Sequence, residues 1–168
     1  RAADTLSPTT AFRLGELGFR NGCLDLARDL AQQGLLSSRD DDPNVEARGL
    51  RLLAETQIEA QNFDSGISLL TEALNLSQSV GNVEGQLTEL SSMAFAGIAS
   101  ERWTVCEQAC NDALALAKAH SHQGNLALVF HNLATAQLFM GRFSEADANA
   151  QCAYSLRANR ECSHALAD

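Results

Sequence analysis

The feature that most constrains the fold is a short motif that recurs at a fixed spacing. Arg102-Trp103-Thr104 stands 40 residues after Asn62-Phe63-Asp64, and Arg142-Phe143-Ser144 stands another 40 residues further on. A weaker copy, Asn21-Gly22-Cys23-Leu24, precedes them. A fixed period of this size predicts a protein built from stacked repeats.

Apolar residues recur with the helical period of about 3.6 residues between these motifs. Ser7 is the candidate cap of the first helix, and Asp64 and Ser144 are the candidate caps of the fourth and eighth. The tail, 159–168, is too short to stack alone and is a candidate start of a ninth helix. The pattern predicts eight helices, at about 7–20, 24–36, 44–60, 64–80, 83–100, 104–119, 125–140 and 144–158.

The helices superpose as pairs. On the first helix of each pair a large apolar residue is followed by a small one, as in Leu53-Ala54 and Leu133-Ala134. Small residues also recur on the second helices, where Gly66, Cys106 and Ala146 occupy one position. Small side chains let two helices approach closely, and we expect the aromatic at each turn to fill the remaining gap. Phe63, Trp103 and Phe143 would each bury about 150–250 Å² in that role.

This combination resembles the tetratricopeptide repeat (TPR), in which a Gly-Asn/Asp-aromatic turn joins two helices with spaced alanines. The matching turns read Gln61-Asn62-Phe63 and Gly141-Arg142-Phe143. The period departs from the usual length of about 34 residues, the closing proline is missing, and Leu24 replaces the first aromatic. The resemblance implies an all-α, right-handed α-solenoid of four antiparallel helix pairs. One domain would hold four repeats and a tail, at about 7–43, 44–82, 83–124, 125–158 and 159–168.

Gly-Asn pairs between repeats, at Gly81-Asn82 and Gly124-Asn125, make the chain similar to long-repeat members found in bacterial regulatory proteins. There such repeats precede nucleotide cyclases, diguanylate cyclases or DNA-binding domains. The resemblance therefore implies a protein-interaction or sensory module of a cytoplasmic signalling protein. A peptide- or ligand-regulated switch and a structural or dimerisation spacer remain open alternatives.

Composition narrows the partners. The formal net charge of −9 does not attract nucleic acid or an anionic membrane surface, and no apolar run reaches 18 residues. Because the chain opens at Arg1 without a methionine or a signal-peptide pattern, we expect it to be part of a longer protein. The five cysteines are too few and too dispersed for a disulfide framework. Cys106 and Cys110 share a helix face, which suits half of a metal site, but without a matching pair we predict buried structural thiols.

Catalytic patterns are missing from the sequence. The four histidines, His120, His122, His131 and His164, belong to no His-Glu-Xaa-Xaa-His motif, and there is neither a nucleophile elbow nor a phosphate-binding glycine loop. We therefore expect no enzyme activity, cofactor or metal. Binding to a protein or peptide is the expected function.

The resemblance implies that the first helix of each pair lines a concave groove. The arginines at its N-terminal end lead us to expect an acidic partner segment, although pairing of the same arginines with Glu16, Glu55 and Glu59 is an equally good interpretation. The last helix lacks a clear polar outer face, so we expect a further repeat or an effector domain to follow it in the longer protein. Within this segment the tail or a second copy of the chain is expected to cover it, which makes a homodimer through the C-terminal end a further expected partner. The residues carried over to the groove are Phe12, Arg13, Glu16, Arg20, Arg48, Arg51, Glu55, Glu59, Ser91, Ser92, Phe95, His131, Asn132, Thr135 and Phe139.

Overall fold

The structure is a computed structural model that describes residues 6–38, 42–121 and 126–165, with side chains up to Ala158. Within these ranges it contains helices and turns and no strand. The all-α class predicted from the sequence is therefore confirmed. In chain order the helices are α1 (Pro8–Arg20), α2 (Leu24–Ser38), α3 (Pro43–Glu59), α4 (Phe63–Ser79), α5 (Val83–Ala99), α6 (Trp103–Ala119), α7 (Leu126–Phe139) and α8 (Phe143–Ala165).

The helix starts follow capping chemistry in part. Ser7 caps α1 as predicted, because its Oγ accepts the Thr10 N–H at 3.3 Å. Asp64 and Ser144 are not caps: α4 and α8 already begin at the preceding phenylalanines, Phe63 and Phe143. The expected ninth helix is also wrong, since α8 continues without a break to Ala165. The predicted loop residues at 39–41 and 122–124 lie outside the described residues, as does Asn125, the predicted start of the seventh helix.

One turn geometry explains the recurring motif. After α3, the Gln61 N–H donates to the Ile58 carbonyl at 2.9 Å and the Asn62 N–H to the Gln57 carbonyl at 2.8 Å, while Gln61 adopts a φ of +63°. This is the Schellman arrangement, which satisfies the last carbonyls of a helix and needs a left-handed residue. Asn62 then starts the next helix by accepting the Gly66 N–H at 3.0 Å. The same pair of bonds follows α1, α4, α5 and α7, so the motif encodes an abrupt helix reversal.

The chain divides into two compact units, Arg1–Ser92 and Met93–Asp168, which are described separately. The N-terminal unit is built around Phe12, which is fully buried. Phe12 lies against two glycines, and a Cβ at Gly34 or Gly49 would come within 2.2 or 2.4 Å of its ring. Phe12 is thus a core residue, and its predicted place in the groove is wrong. The small residues are needed here because the aromatic ring occupies the space that their side chains would fill.

The C-terminal unit uses small residues in the same way. A Cβ on Gly97 would lie 2.6 Å from the Cys106 backbone nitrogen, so α5 and α6 touch backbone to backbone at that point. Cys106 and Cys110 are buried, as predicted, and the Cys106 thiol donates to the Asn132 carbonyl at 3.5 Å. Arg142 pairs with Glu107 of α6 and, at 3.5 Å, with Glu145 of α8.

The turn aromatics do not all fill gaps. Trp103 is half-buried and its ring stacks on that of Phe139, with centroids 4.4 Å apart and planes 5° from parallel. Phe63 is also half-buried, but Phe143 is 67 % exposed. The expectation that Phe143 buries a large area is therefore wrong. Among the described residues, none of the helices combines the length and the apolar character needed to cross a bilayer.

Candidate functional site

A network of arginines and glutamates forms the most organised polar surface of the N-terminal unit. Arg48 donates two hydrogen bonds to Glu16 of α1, from Nε to Oε1 at 2.7 Å and from Nη2 to Oε2 at 2.5 Å. Arg51 bonds to Glu16 at 3.3 Å and to Glu55 at 3.0 Å, and the Ser92 hydroxyl donates to Glu55 at 3.2 Å. Arg48, Arg51 and Glu55 meet because their spacing places them on one face of α3. The structure thus brings together five of the residues carried over to the groove.

This network is charged at neutral pH. Burial works to raise the pKa of Glu16, but the hydrogen bond from Arg48 and the charges of Arg48, Arg51 and Arg20 outweigh it and leave that pKa below its ordinary value. The bond to Glu16 in turn raises the pKa of Arg48. Pairing with Glu16 and Glu55 is therefore the observed state of Arg48 and Arg51. Glu59, the third expected partner, is exposed at the end of α3.

A cleft of about 400 Å³ opens over this network. Arg20 of α1 is exposed at its edge and, among the described residues, takes part in no ion pair. The three arginines of the lining outnumber its two glutamates, so the cleft carries one excess positive charge in a chain whose net charge is −9. Arg13 is also exposed but does not line the cleft. The lining residues are Glu16, Phe19, Arg20, Arg48, Arg51, Glu55 and Thr88.

A second, smaller pocket of about 200 Å³ shares Arg48 and Arg51 with that cleft and reaches Glu89 on α5. Glu89 is only 2 % exposed. Burial raises its pKa to about 7. The nearby Ser77 hydroxyl, which makes no well-formed hydrogen bond, and the positive charge of Arg51 both lower this pKa, but they offset the effect of burial only partly. Our sequence reasoning missed Glu89. The available signal was the repeat overlay, which places a carboxylate where the neighbouring repeats carry Gly49 and Val129.

The predicted groove residues of the C-terminal unit differ in their exposure and in whether they line a pocket. His131 and Thr135 line a pocket of about 360 Å³ between α7 and α8. Asn132 is buried, and so its prediction as a contact residue is wrong. Phe95 and Phe139 are 50 % and 63 % exposed, but neither lines that pocket. The remaining lining is mostly apolar, and two of its members, Leu138 and Phe143, are exposed.

Of the two buried thiols, Cys110 is held in its unreactive, protonated form. A hydrogen bond with the Cys106 thiol raises the pKa of Cys110 far above its ordinary value, and burial and nearby negative charge raise it further. The Cys110 thiol therefore stays protonated at neutral pH. Among the described residues there is no group of three or more His, Cys, Asp or Glu side chains that could hold a metal ion.

Comparison with known proteins places the fold. No protein-family model and no curated protein matches the chain. Its structure is similar to that of BtubC (BKLC) from P. vanneervenii, with a TM-score of 0.82 and 19 % identity over 95 % of this chain and 68 % of that one. The apo form of RapI has a TM-score of 0.84 and 10 % identity, over 95 % of this chain and 58 % of its own.

A putative kinesin light chain from Podosopora anserina, described as having nearly identical TPR-like repeats, has a TM-score of 0.73 and 16 % identity over 92 % of this chain and 76 % of its own. The chain therefore spans 58 to 76 % of the lengths of these proteins. At such identities the similarity establishes the fold, which is that of the TPR-like solenoid proteins, as predicted from the turn motif.

Proposed function

We propose that this chain is a protein- or peptide-binding module, and that an acidic segment of its partner docks in the cleft lined by Arg20, Arg48 and Arg51. The observation that carries the proposal is the excess positive charge of this cleft in a chain with a net charge of −9. An isolated basic surface on an acidic protein favours anionic partners locally while the rest of the molecule repels them.

The network prepares the cleft for a carboxylate. Each guanidinium has five N–H donors in a rigid plane. Arg48 uses its Nε donor and one Nη2 donor in the hydrogen bonds to Glu16. The outer donors stay available, and Glu16 holds the planes in place before a ligand arrives. Ordering the side chains in advance lowers the entropic cost of binding. Arg20, which has no such partner, supplies the uncommitted charge.

The finer form of this proposal is a regulatory role in a bacterial signalling protein of the cytoplasm. Its support is the TPR-like fold together with the Gly81-Asn82 spacing motif between repeats. Sequencing the gene on both sides of this segment tests the role. An adjoining cyclase or DNA-binding domain supports regulation, whereas an adjoining structural or membrane protein would speak for scaffolding.

Binding itself is tested by fluorescence anisotropy with two labelled peptides of equal length, one carrying several glutamates and the other glutamine at the same positions. We expect saturable binding of the acidic peptide only, weakening as salt is added. Arg20→Ala should reduce its affinity about fivefold or more, whereas Arg13→Ala, an exposed arginine of the same helix, should change it little. Equal binding of both peptides, or equal loss in both variants, contradicts the proposal.

A further inference from the structure

We propose that the pocket beside Glu89 is a second binding site, which takes the ammonium group of a small primary amine. This inference does not depend on the peptide-binding function, because it rests on different atoms and on a ligand of opposite charge. It concerns the smaller pocket, which α3, α4 and α5 of the N-terminal unit enclose.

Two buried polar atoms in this pocket are without a hydrogen-bond partner. They are Oε2 of Glu89 and Oγ of Ser77, and no others in the described part of the N-terminal unit share this condition. Both residues line the pocket, with exposed fractions of 2 % and 0 %. Leaving a buried acceptor unpaired is unfavourable, and more so for a charged group. A ligand that donates hydrogen bonds to both atoms would recover that energy.

The pocket has room for such a ligand. Its volume of about 200 Å³ exceeds that of a single water. Gly85 packs closely against two polar side chains of the lining, because a Cβ at this position would lie 2.7 Å from both Ser77 Oγ and Asn82 Nδ2. Its backbone is not in the left-handed region, so turn geometry does not explain the glycine. Asn82 is already engaged, since its amide oxygen accepts the Gly85 N–H at 2.9 Å and its amide nitrogen donates to Asn44 at 2.8 Å.

Charge selects a cation. The two arginines that line the pocket are committed to Glu16 and Glu55, and the carboxylates of Glu84 and Glu89 remain. A primary ammonium is a compact charge with three N–H donors. Two of these donors match Glu89 Oε2 and Ser77 Oγ. A quaternary ammonium offers the charge without the donors and therefore serves as the probe's control.

Protonation sets the conditions for binding. The charged groups that act on Glu89 are Arg51 and Glu55 of α3, with Arg48 and Glu84 also lining the pocket, and Ser77 is the polar group that α4 contributes. Burial raises the pKa of Glu89 to about 7. Below that pH the carboxyl is neutral and cannot pair with a cation. A bound ammonium favours the ionised form, so binding releases a proton and strengthens as the pH rises through 7.

The test is a calorimetric titration with methylammonium chloride at pH 6 and pH 8, with tetramethylammonium chloride as the control at equal ionic strength. We expect saturation at a dissociation constant on the order of 1–10 mM at pH 8, at least fivefold weaker binding at pH 6, and none of the control salt. Glu89→Gln removes the charge and Gly85→Ala displaces Ser77 Oγ, and each should weaken binding at least tenfold. Glu72→Gln, an exposed position on α4, should leave it unchanged.

Three results would overturn the proposal: no saturable heat at pH 8, equal binding of tetramethylammonium, or unchanged affinity in both Glu89→Gln and Gly85→Ala. A Cβ at Gly85 requires Ser77 and Asn82 to shift, although helix propensity favours alanine, so Glu89→Gln alone decides the test if Gly85→Ala does not fold. The acidic peptide should still bind Glu89→Gln, so failure of the amine site leaves the peptide proposal to its own test.

Discussion

At the scale of single residues, Glu89 is the group that couples stability to pH. Its pKa is raised to about 7 in the folded protein, so the folded state holds a proton that the unfolded state has released above about pH 4.5. Stability must therefore fall as the pH rises from 4.5 towards 7. A pKa shift of this size corresponds to a loss of about 3 kcal/mol.

Glu89→Gln should remove this dependence. We expect the variant to be more stable than the parent at pH 8 and close to it at pH 5, because glutamine has no charge to desolvate. Urea unfolding at both pH values measures the difference. A parent protein that gains stability between pH 5 and pH 7 relative to the variant would show that Glu89 is ionised and well paired in the folded state.

Trp103 and Phe143 occupy equivalent turns but should contribute unequally to stability. Truncating a fully buried aromatic ring to alanine costs about 3–5 kcal/mol, the value that the sequence predicts for Trp103. Because Trp103 is half-buried, we now expect Trp103→Ala to cost about 2 kcal/mol, including its stack on Phe139. Because Phe143 is 67 % exposed, Phe143→Ala should reduce the free energy of unfolding by less than about 1 kcal/mol. Denaturant unfolding of the two variants tests the order, and a larger loss at Phe143 would contradict it.

At the scale of elements, the helix reversals contain strain that can be relieved. Gln61 and Glu101 hold the left-handed position that Gly22, Gly81 and Gly141 occupy in the equivalent turns. A side chain costs about 1–2 kcal/mol in that conformation, and part of the gain from glycine is lost to its freedom in the unfolded chain. We expect Gln61→Gly to stabilise by about 0.5–1 kcal/mol and Gly81→Ala to destabilise by a similar amount, both measured by urea unfolding. A destabilised Gln61→Gly would mean that the glutamine side chain makes contacts worth more than the strain.

The elements show why sequence reasoning reached some features and missed others. Helix ends fell within a few residues of prediction because the reversal is local, set by one left-handed residue and a following aromatic. The groove position of Asn132 was predicted wrongly because consecutive residues of a helix point in directions about 100° apart. His131 is therefore exposed while Asn132, the next residue, is buried. The shifted pKa of Glu89 could not be predicted, because it depends on which side chains of α3 and α4 lie beside the carboxyl group, and a sequence pattern does not give those distances.

At the scale of the whole molecule, the α7–α8 pocket is where we expect copies of the chain to meet. Leu138 and Phe143 line it and are 50 % and 67 % exposed. Exposed apolar surface of this kind favours association. Sedimentation velocity over a concentration series should show reversible dimers, and Phe143→Glu should abolish them. Leu36→Glu, at a 74 % exposed position on α2, is the matched control. A parent protein that remains monomeric throughout would show that this end needs no cover.

The central claim is that an acidic segment binds at the cleft of the N-terminal unit, and arginine side-chain NMR tests it most directly. Adding the glutamate peptide to ¹⁵N-labelled protein should shift the Nε–H signals of Arg20, Arg48 and Arg51, which line the cleft, and leave that of Arg13 in place. The glutamine peptide should shift none of them. Saturable binding of the glutamate peptide with shifts confined to Arg13 or to residues of the C-terminal unit would contradict the account.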